Sequence, residues 1–83
     1  MYMAPDAISV SCMPNYVLRV KFETGETRDF DVREQLLPHK GYKRLENPTY
    51  FHKAHIDYGT VVWDEQIDIA PEWLYEKSRP VAM

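Results

Sequence analysis

Cysteine is almost missing from this chain. Cys12 stands alone among 83 residues, which excludes an internal disulfide and a thiolate metal cage and favours a reducing compartment. Glycine is scarce too. Gly25, Gly41 and Gly59 are too few and too scattered to build a phosphate-cradling loop. Long apolar runs are absent. The longest uncharged stretch, Ala7 to Leu18, is interrupted by serines, Pro14 and Asn15 and is too short to span a bilayer. Met1 to Asp6 lacks a basic region followed by an apolar segment, so it does not read as a signal peptide. The expectation is a cytoplasmic protein with no membrane partner.

One sign of charge is missing locally. From Ala54 to Glu76 there is no Lys or Arg, against Asp57, Asp64, Glu65, Asp68, Glu72 and Glu76. From Arg33 to Lys53 the bases Arg33, Lys40, Lys43, Arg44 and Lys53 face only Glu34 and Glu46. Such asymmetry marks a partner surface, unless the two segments neutralise each other across the fold or are simply solvated.

What is present fits a globular chain: 45% hydrophobic and 13% aromatic residues. Its length implies one small domain over residues 1–83, with a core over about 7–77 and a frayed tail at 78–83. A chain this short buries roughly 60–65% of its unfolded surface. It leaves little room for the pockets of about 300 Å³ or more that enclose most substrates.

Period-two alternation over 7–13 sets Ile8, Val10 and Cys12 inward against Ser9 and Ser11. Tyr16, Leu18, Val20 and Phe22 share one face of a second strand, and Thr24-Gly25 turns it into a third over 26–30. Asp31 and Glu34 have capping-box spacing, predicting a helix over Val32 to Leu37 that Pro38 stops. Tyr42 to Leu45 suits one helical turn. Asn47-Pro48 signals another helix start. Strands follow over 53–57, 60–63 and 67–69, turned by Tyr58-Gly59 and Asp64-Glu65-Gln66, and Pro71 opens a last helix. The expected fold is α+β: one antiparallel sheet of five or six strands with short helices packed on one face.

The chain resembles the small bacterial domain of unknown function numbered 2442. The resemblance is carried by Leu18-Arg19-Val20-Lys21-Phe22-Glu23-Thr24-Gly25-Glu26, by Phe30-Asp31-Val32, by Leu45 and Phe51, and above all by Val61 to Tyr75. Within that last stretch it rests on Trp63, Asp68-Ile69-Ala70-Pro71-Glu72 and Leu74-Tyr75. It implies an α+β domain with no established catalytic residues. In some relatives it implies an added helix-turn-helix domain, in others a pairing with small proteins in toxin–antitoxin-like arrangements. With the sequence ending at Met83, direct transcriptional control is not the expected role.

No constellation points to catalysis. His52, His55 and Asp57 are the nearest thing to a metal or acid–base cluster, yet on a strand His52 would point away from the other two. Asp64, Glu65, Asp68 and Glu72 are explained by a turn and a helix start. No Ser or Cys lies in a strand–turn–helix nucleophile motif. No catalytic residue, metal or cofactor is therefore expected. The leading expectation is a non-enzymatic protein-interaction module that binds another small protein or itself, as the inhibitory or regulatory member of a toxin–antitoxin-like pair. Its aromatic anchors would come from Tyr42, Tyr50, Trp63, Trp73 and Tyr75, since six tyrosines exceed what so small a core can bury. The alternative is a nucleic-acid-associated regulator holding phosphate with Arg33, Lys40, Lys43, Arg44 and Lys53.

Overall fold

The structure is a computed structural model that describes residues 3–81. Met1, Tyr2, Ala82 and Met83 lie outside the described residues, and with them part of the N-terminal reading and the end of the expected tail.

The chain opens with an antiparallel meander, β1 (Ala7–Met13), β2 (Val17–Phe22) and β3 (Thr27–Asp31). Alternation along β2 sends Leu18, Val20 and Phe22 into the core, all fully buried. Each such side chain contributes about 2 kcal/mol of burial free energy. On the other face Arg19 lies opposite Asp29 and holds its carboxylate with two N–H donors, at 2.9 and 3.1 Å. In β1 the expected alternation fails at one point. The register shifts between Ala7 and Ser9, so Ala7 is buried at 2% exposure while Ile8 is turned outward at 54%. A bulge inserts an extra residue and reverses which face the side chains take.

Between β1 and β2, Asn15 and Tyr16 both have left-handed backbones, with φ of 65° and 61°. For tyrosine that conformation is unfavourable, but the side chain compensates. Its hydroxyl donates to the Glu46 carbonyl, its ring meets Phe51 edge-on at 5.1 Å, and the Arg33 guanidinium lies 5.2 Å above it.

The Asp31 carboxylate accepts from the Glu34 amide and starts α1 (Val32–Gln35), which is shorter than expected. Its Val32 is buried, as is Leu36 just beyond it. A 3₁₀ segment, Lys40–Glu46, replaces the single turn expected around Tyr42. Asn47 then caps α2 (Pro48–Phe51) through its Oδ1, with Pro48 at the first position. The second sheet is β4 (His55–Asp57), β5 (Thr60–Asp64) and β6 (Ile67–Asp68), followed by α3 (Pro71–Lys77).

The α+β class stands. Arg79–Pro80 forms β7 and occupies the outer edge of β3. The single sheet of five or six strands is replaced by two sheets, ordered β1-β2-β3-β7 and β4-β5-β6; β4, β5 and β6 pair with one another, and their hairpin meets β1 through the Ala7–Gly59 hydrogen bond. The expected fraying from Ser78 onward therefore does not begin there. Ser78 is buried; Arg28 donates 2.7 Å hydrogen bonds to its hydroxyl and to its carbonyl; and the Val81 amide bonds to the Thr27 carbonyl. One hydrophobic cluster unites both sheets, running from Leu18, Val20, Phe22 and Phe30 to Val61, Trp63, Ile67, Ile69 and Leu74.

Candidate functional site

The expected aromatic anchors are mostly spent on the fold. Trp63 must be removed from the candidate surface: it is 3% exposed, and its indole N–H donates to the Phe51 carbonyl at 3.0 Å. Cys12 Sγ lies 3.6 Å from the same oxygen, and burial raises the thiol's pKa. That carbonyl thus ties β1, α2 and β5 together. Tyr42 is half-buried. Its hydroxyl donates to the Asp68 carbonyl at 2.8 Å, and its pKa is raised by burial first and by Asp68 second. Trp73 is half-buried with His39 and Tyr42 edge-on to it, at 5.5 and 6.5 Å. Tyr50 donates to the Asp64 carboxylate. Tyr75 donates to Glu26 at 2.8 Å under the Arg28 guanidinium. The contiguous exposed patch of Trp and Tyr expected of these five does not form, because each ring has an intramolecular neighbour.

Among the described residues the exposed tyrosine is Tyr58, at 94%. Asp57 pairs with Thr60, leaving a two-residue loop of Tyr58 and Gly59 with φ of 51° and 76°. Positive φ at both loop positions is a type I′ turn, for which Asn-Gly and Asp-Gly are the favoured pairs. Gly59 is required: a Cβ there would fall 2.6 Å from Asp6 Oδ1. Tyr58 has no such reason. It adopts the left-handed backbone like Tyr16, but its side chain makes no hydrogen bond or ring contact among the described residues.

The tip is rigidly mounted. The Ala7 amide bonds to the Gly59 carbonyl at 2.8 Å. The Glu23 carboxylate accepts from the Asp6 amide at 2.9 Å, and the Glu23 amide donates to the Asp6 carbonyl at 2.8 Å. Ile8, 54% exposed, directly follows the anchored Ala7, and Met3, 81% exposed, precedes β1. The exposed carboxylates Asp6, Glu23 and Asp57 surround the corner, and none is in an ion pair among the described residues.

The basic segment is dispersed. Arg33 lies over Tyr16, Lys53 lies 6.0 Å from the Tyr50 ring centre, and Arg44 reaches Asp64 at 3.8 Å. Lys40 and Lys43 are exposed on the 3₁₀ segment. Arg44–Asp64 is the one ion pair among the described residues that joins the basic and acidic segments, so the two do not neutralise each other.

His55 and Asp57 are both exposed on β4. His52 Nδ1 lies 2.7 Å from the Pro48 carbonyl and His55 Nδ1 lies 3.0 Å from the Lys53 carbonyl. Among the described residues no three His, Cys, Asp or Glu side chains gather where they could hold a metal ion. Nor is any described helix long and apolar enough to cross a membrane. Clefts near the size of substrate pockets do occur, at the surface. One of about 360 Å³ is bordered by Arg19, Asp29, Glu34, Lys77 and Arg79, and the Arg19–Asp29 and Glu34–Arg79 pairs already match charges there. Another, of about 320 Å³, lies at the Met13 end of β1 and is more apolar.

The fold and this surface define a small α+β domain of two antiparallel sheets with one projecting aromatic corner. The chain belongs to the family of proteins of unknown function DUF2442, which it matches over residues 7–80. No curated protein and no solved structure matches it.

Proposed function

We propose that the chain is a non-enzymatic protein-interaction module whose contact is centred on Tyr58, flanked by Ile8 and Met3. The observation that carries this reading is the state of Tyr58. A left-handed backbone costs an ordinary residue on the order of 1–2 kcal/mol, and a ring exposed at 94% returns almost nothing to folding. Tyr16 in the same conformation is offset by its contacts; Tyr58 is offset by none among the described residues. Tyrosine is enriched among the residues that dominate binding energy, and a rigid mount lowers the entropy cost of association.

The partner class is a small protein or a second copy of this chain. In the toxin–antitoxin-like setting implied by the family resemblance, the module would act as the inhibitory or regulatory member by covering its partner's working surface. The single unpaired Cys12 favours a reducing, cytoplasmic setting.

The test is an affinity capture from the source organism's lysate with wild-type and Tyr58→Asn baits, with and without nuclease and at two salt concentrations. A stoichiometric protein that survives nuclease and salt but is lost from the Tyr58→Asn bait supports the reading. Equal capture by both baits overturns it. Nucleic acid released as salt rises would instead promote Arg33, Lys40, Lys43, Arg44 and Lys53.

A further inference from the structure

We infer that the Tyr58 tip takes an arginine of a partner protein, its guanidinium stacked on the ring and held by the carboxylates beside it. This names the partner's chemistry in the interaction-module reading and rests on that reading. Two observations carry it.

The first is how the chain treats its other tyrosines. Arg28 lies 4.6 Å above the Tyr75 ring, and Glu26 binds both, accepting from the Tyr75 hydroxyl at 2.8 Å and pairing with Arg28 at 3.2 Å. Lys53 lies 6.0 Å from the Tyr50 ring centre, and the Tyr50 hydroxyl donates to Asp64, which Arg44 approaches at 3.8 Å. Arg33 lies 5.2 Å above Tyr16. In each case the negative face of the ring attracts a cation. Tyr42 packs edge-on to Trp73 instead. Among the described tyrosines that leaves Tyr58, with carboxylates beside it and no cation on its ring.

The second is charge. Asp57 directly precedes Tyr58 and is exposed. Asp6 reaches the same loop, its Oδ1 lying 2.6 Å from where a Cβ on Gly59 would sit. Glu23 is joined to the Asp6 backbone by two hydrogen bonds, at 2.9 and 2.8 Å. None of these three carboxylates is in an ion pair among the described residues. The bases closest to them in the strands are Lys21, opposite Ser9 on β2, and His55 on β4, whose Nδ1 lies against the Lys53 carbonyl. Three carboxylates against the Lys21 ammonium leave the tip negative.

These features select the occupant. A phosphate would be repelled. An uncharged apolar surface would cover the ring but strip water from carboxylates it cannot pair, which is costly. A guanidinium satisfies both, with its flat face on the ring and its fork of N–H donors on a carboxylate. Arginine is favoured over lysine because the Arg28–Tyr75–Glu26 group, at 4.6 Å, is closer than the Lys53–Tyr50 pair at 6.0 Å.

The experiment is amide NMR of the full chain titrated with a capped Gly-Arg-Gly-Arg-Gly peptide, with a citrulline peptide of the same shape but no charge as its match. The arginine peptide should shift the amides of Asp6, Asp57, Tyr58 and Gly59 saturably. It should shift them more than that of Glu65, an exposed carboxylate residue in the β5–β6 turn, which has no exposed tyrosine. Tyr58→Asn should weaken binding about 2- to 5-fold, the worth of an exposed cation–π contact. Tyr58→Phe should bind like wild type, because the ring face and not the hydroxyl makes the contact. Asp6→Asn combined with Asp57→Asn should also weaken binding. All three positions sit at the surface, so circular dichroism should report an unchanged fold. Tip amides that do not move, that move no more than Glu65, or that respond equally to the citrulline peptide overturn the inference. So does a Tyr58→Asn chain that binds the peptide like wild type. If a lysate protein is captured through Tyr58 while the arginine peptide leaves the tip unmoved, the arginine inference fails and the interaction-module reading stands.

Discussion

Replacing Tyr58 by asparagine should make the isolated chain more stable. Substitutions more often destabilise, so the sign itself is informative. The Tyr58-Gly59 loop has positive φ at both positions, and asparagine is a favoured first residue of that turn. The relief is a fraction of the 1–2 kcal/mol that a left-handed backbone costs an ordinary residue, about 1 kcal/mol. Against it stands the burial lost with the ring. Tyr58 is 94% exposed, so about 6% of a side chain of roughly 200 Å² is hidden, worth about 0.3 kcal/mol. The net gain is about 0.5–1 kcal/mol. For a domain of this size that raises Tm by about 2–8 °C. The assay is paired thermal and urea melts at low protein concentration, where association adds nothing to apparent stability. A variant less stable than wild type would refute the reasoning: the ring would then be packing against its own chain, and the case for an external partner would lose its main support.

Arg28→Ala should release the C-terminal strand and cost about 3 kcal/mol, the sum expected for charged hydrogen bonds to Ser78 at a largely buried position. Amide exchange at Val81, bonded to the Thr27 carbonyl, would report it, and Arg28→Lys should not restore protection, because an ammonium lacks the fork. Trp63→Phe removes the indole donor from the Phe51 carbonyl and leaves a gap in the core. A loss of about 2 kcal/mol in urea unfolding is expected, with Ile8 and Tyr58 left as exposed as before. Stability should also fall in acid. The Tyr75 hydroxyl, then Thr24 and Arg28, hold the Glu26 carboxyl below its ordinary 4.5; the Tyr50 hydroxyl, then the Gln66 amide, hold Asp64 below 3.8. Both groups are depressed in the folded state, so their stabilisation is present above the unfolded values and is lost as pH falls through the folded ones. Urea midpoints should be flat above about pH 5 and decline below about pH 4, with a shallower decline in Glu26→Gln.

Local chemistry made much of the fold legible. Leu18, Val20 and Phe22 bury because a strand alternates sides, and Asp31, Asn47 and Pro48 start helices because unpaired amides need an acceptor or a missing donor. The same rules could not see the bulge that turned Ile8 outward, since a register shift depends on the partner strand. They also divided the tyrosines wrongly. Tyr42, Tyr50 and Tyr75 reach acceptors on Asp68, Asp64 and Glu26, residues 14 to 49 positions away in the chain. Tyr58 was legible as a turn residue, and the signal that it was more lay in the Tyr-Gly pair itself, where Asn-Gly would serve the turn better. The sequence by itself determined the class, the strand faces, the caps and the uneven charge, because these follow from residue type and near spacing. Only the tertiary structure decided that there are two sheets, that Ser78 to Val81 closes β3, and which aromatic ring is left projecting. Those outcomes depend on which distant backbone and carboxylate groups meet, and no local pattern encodes that.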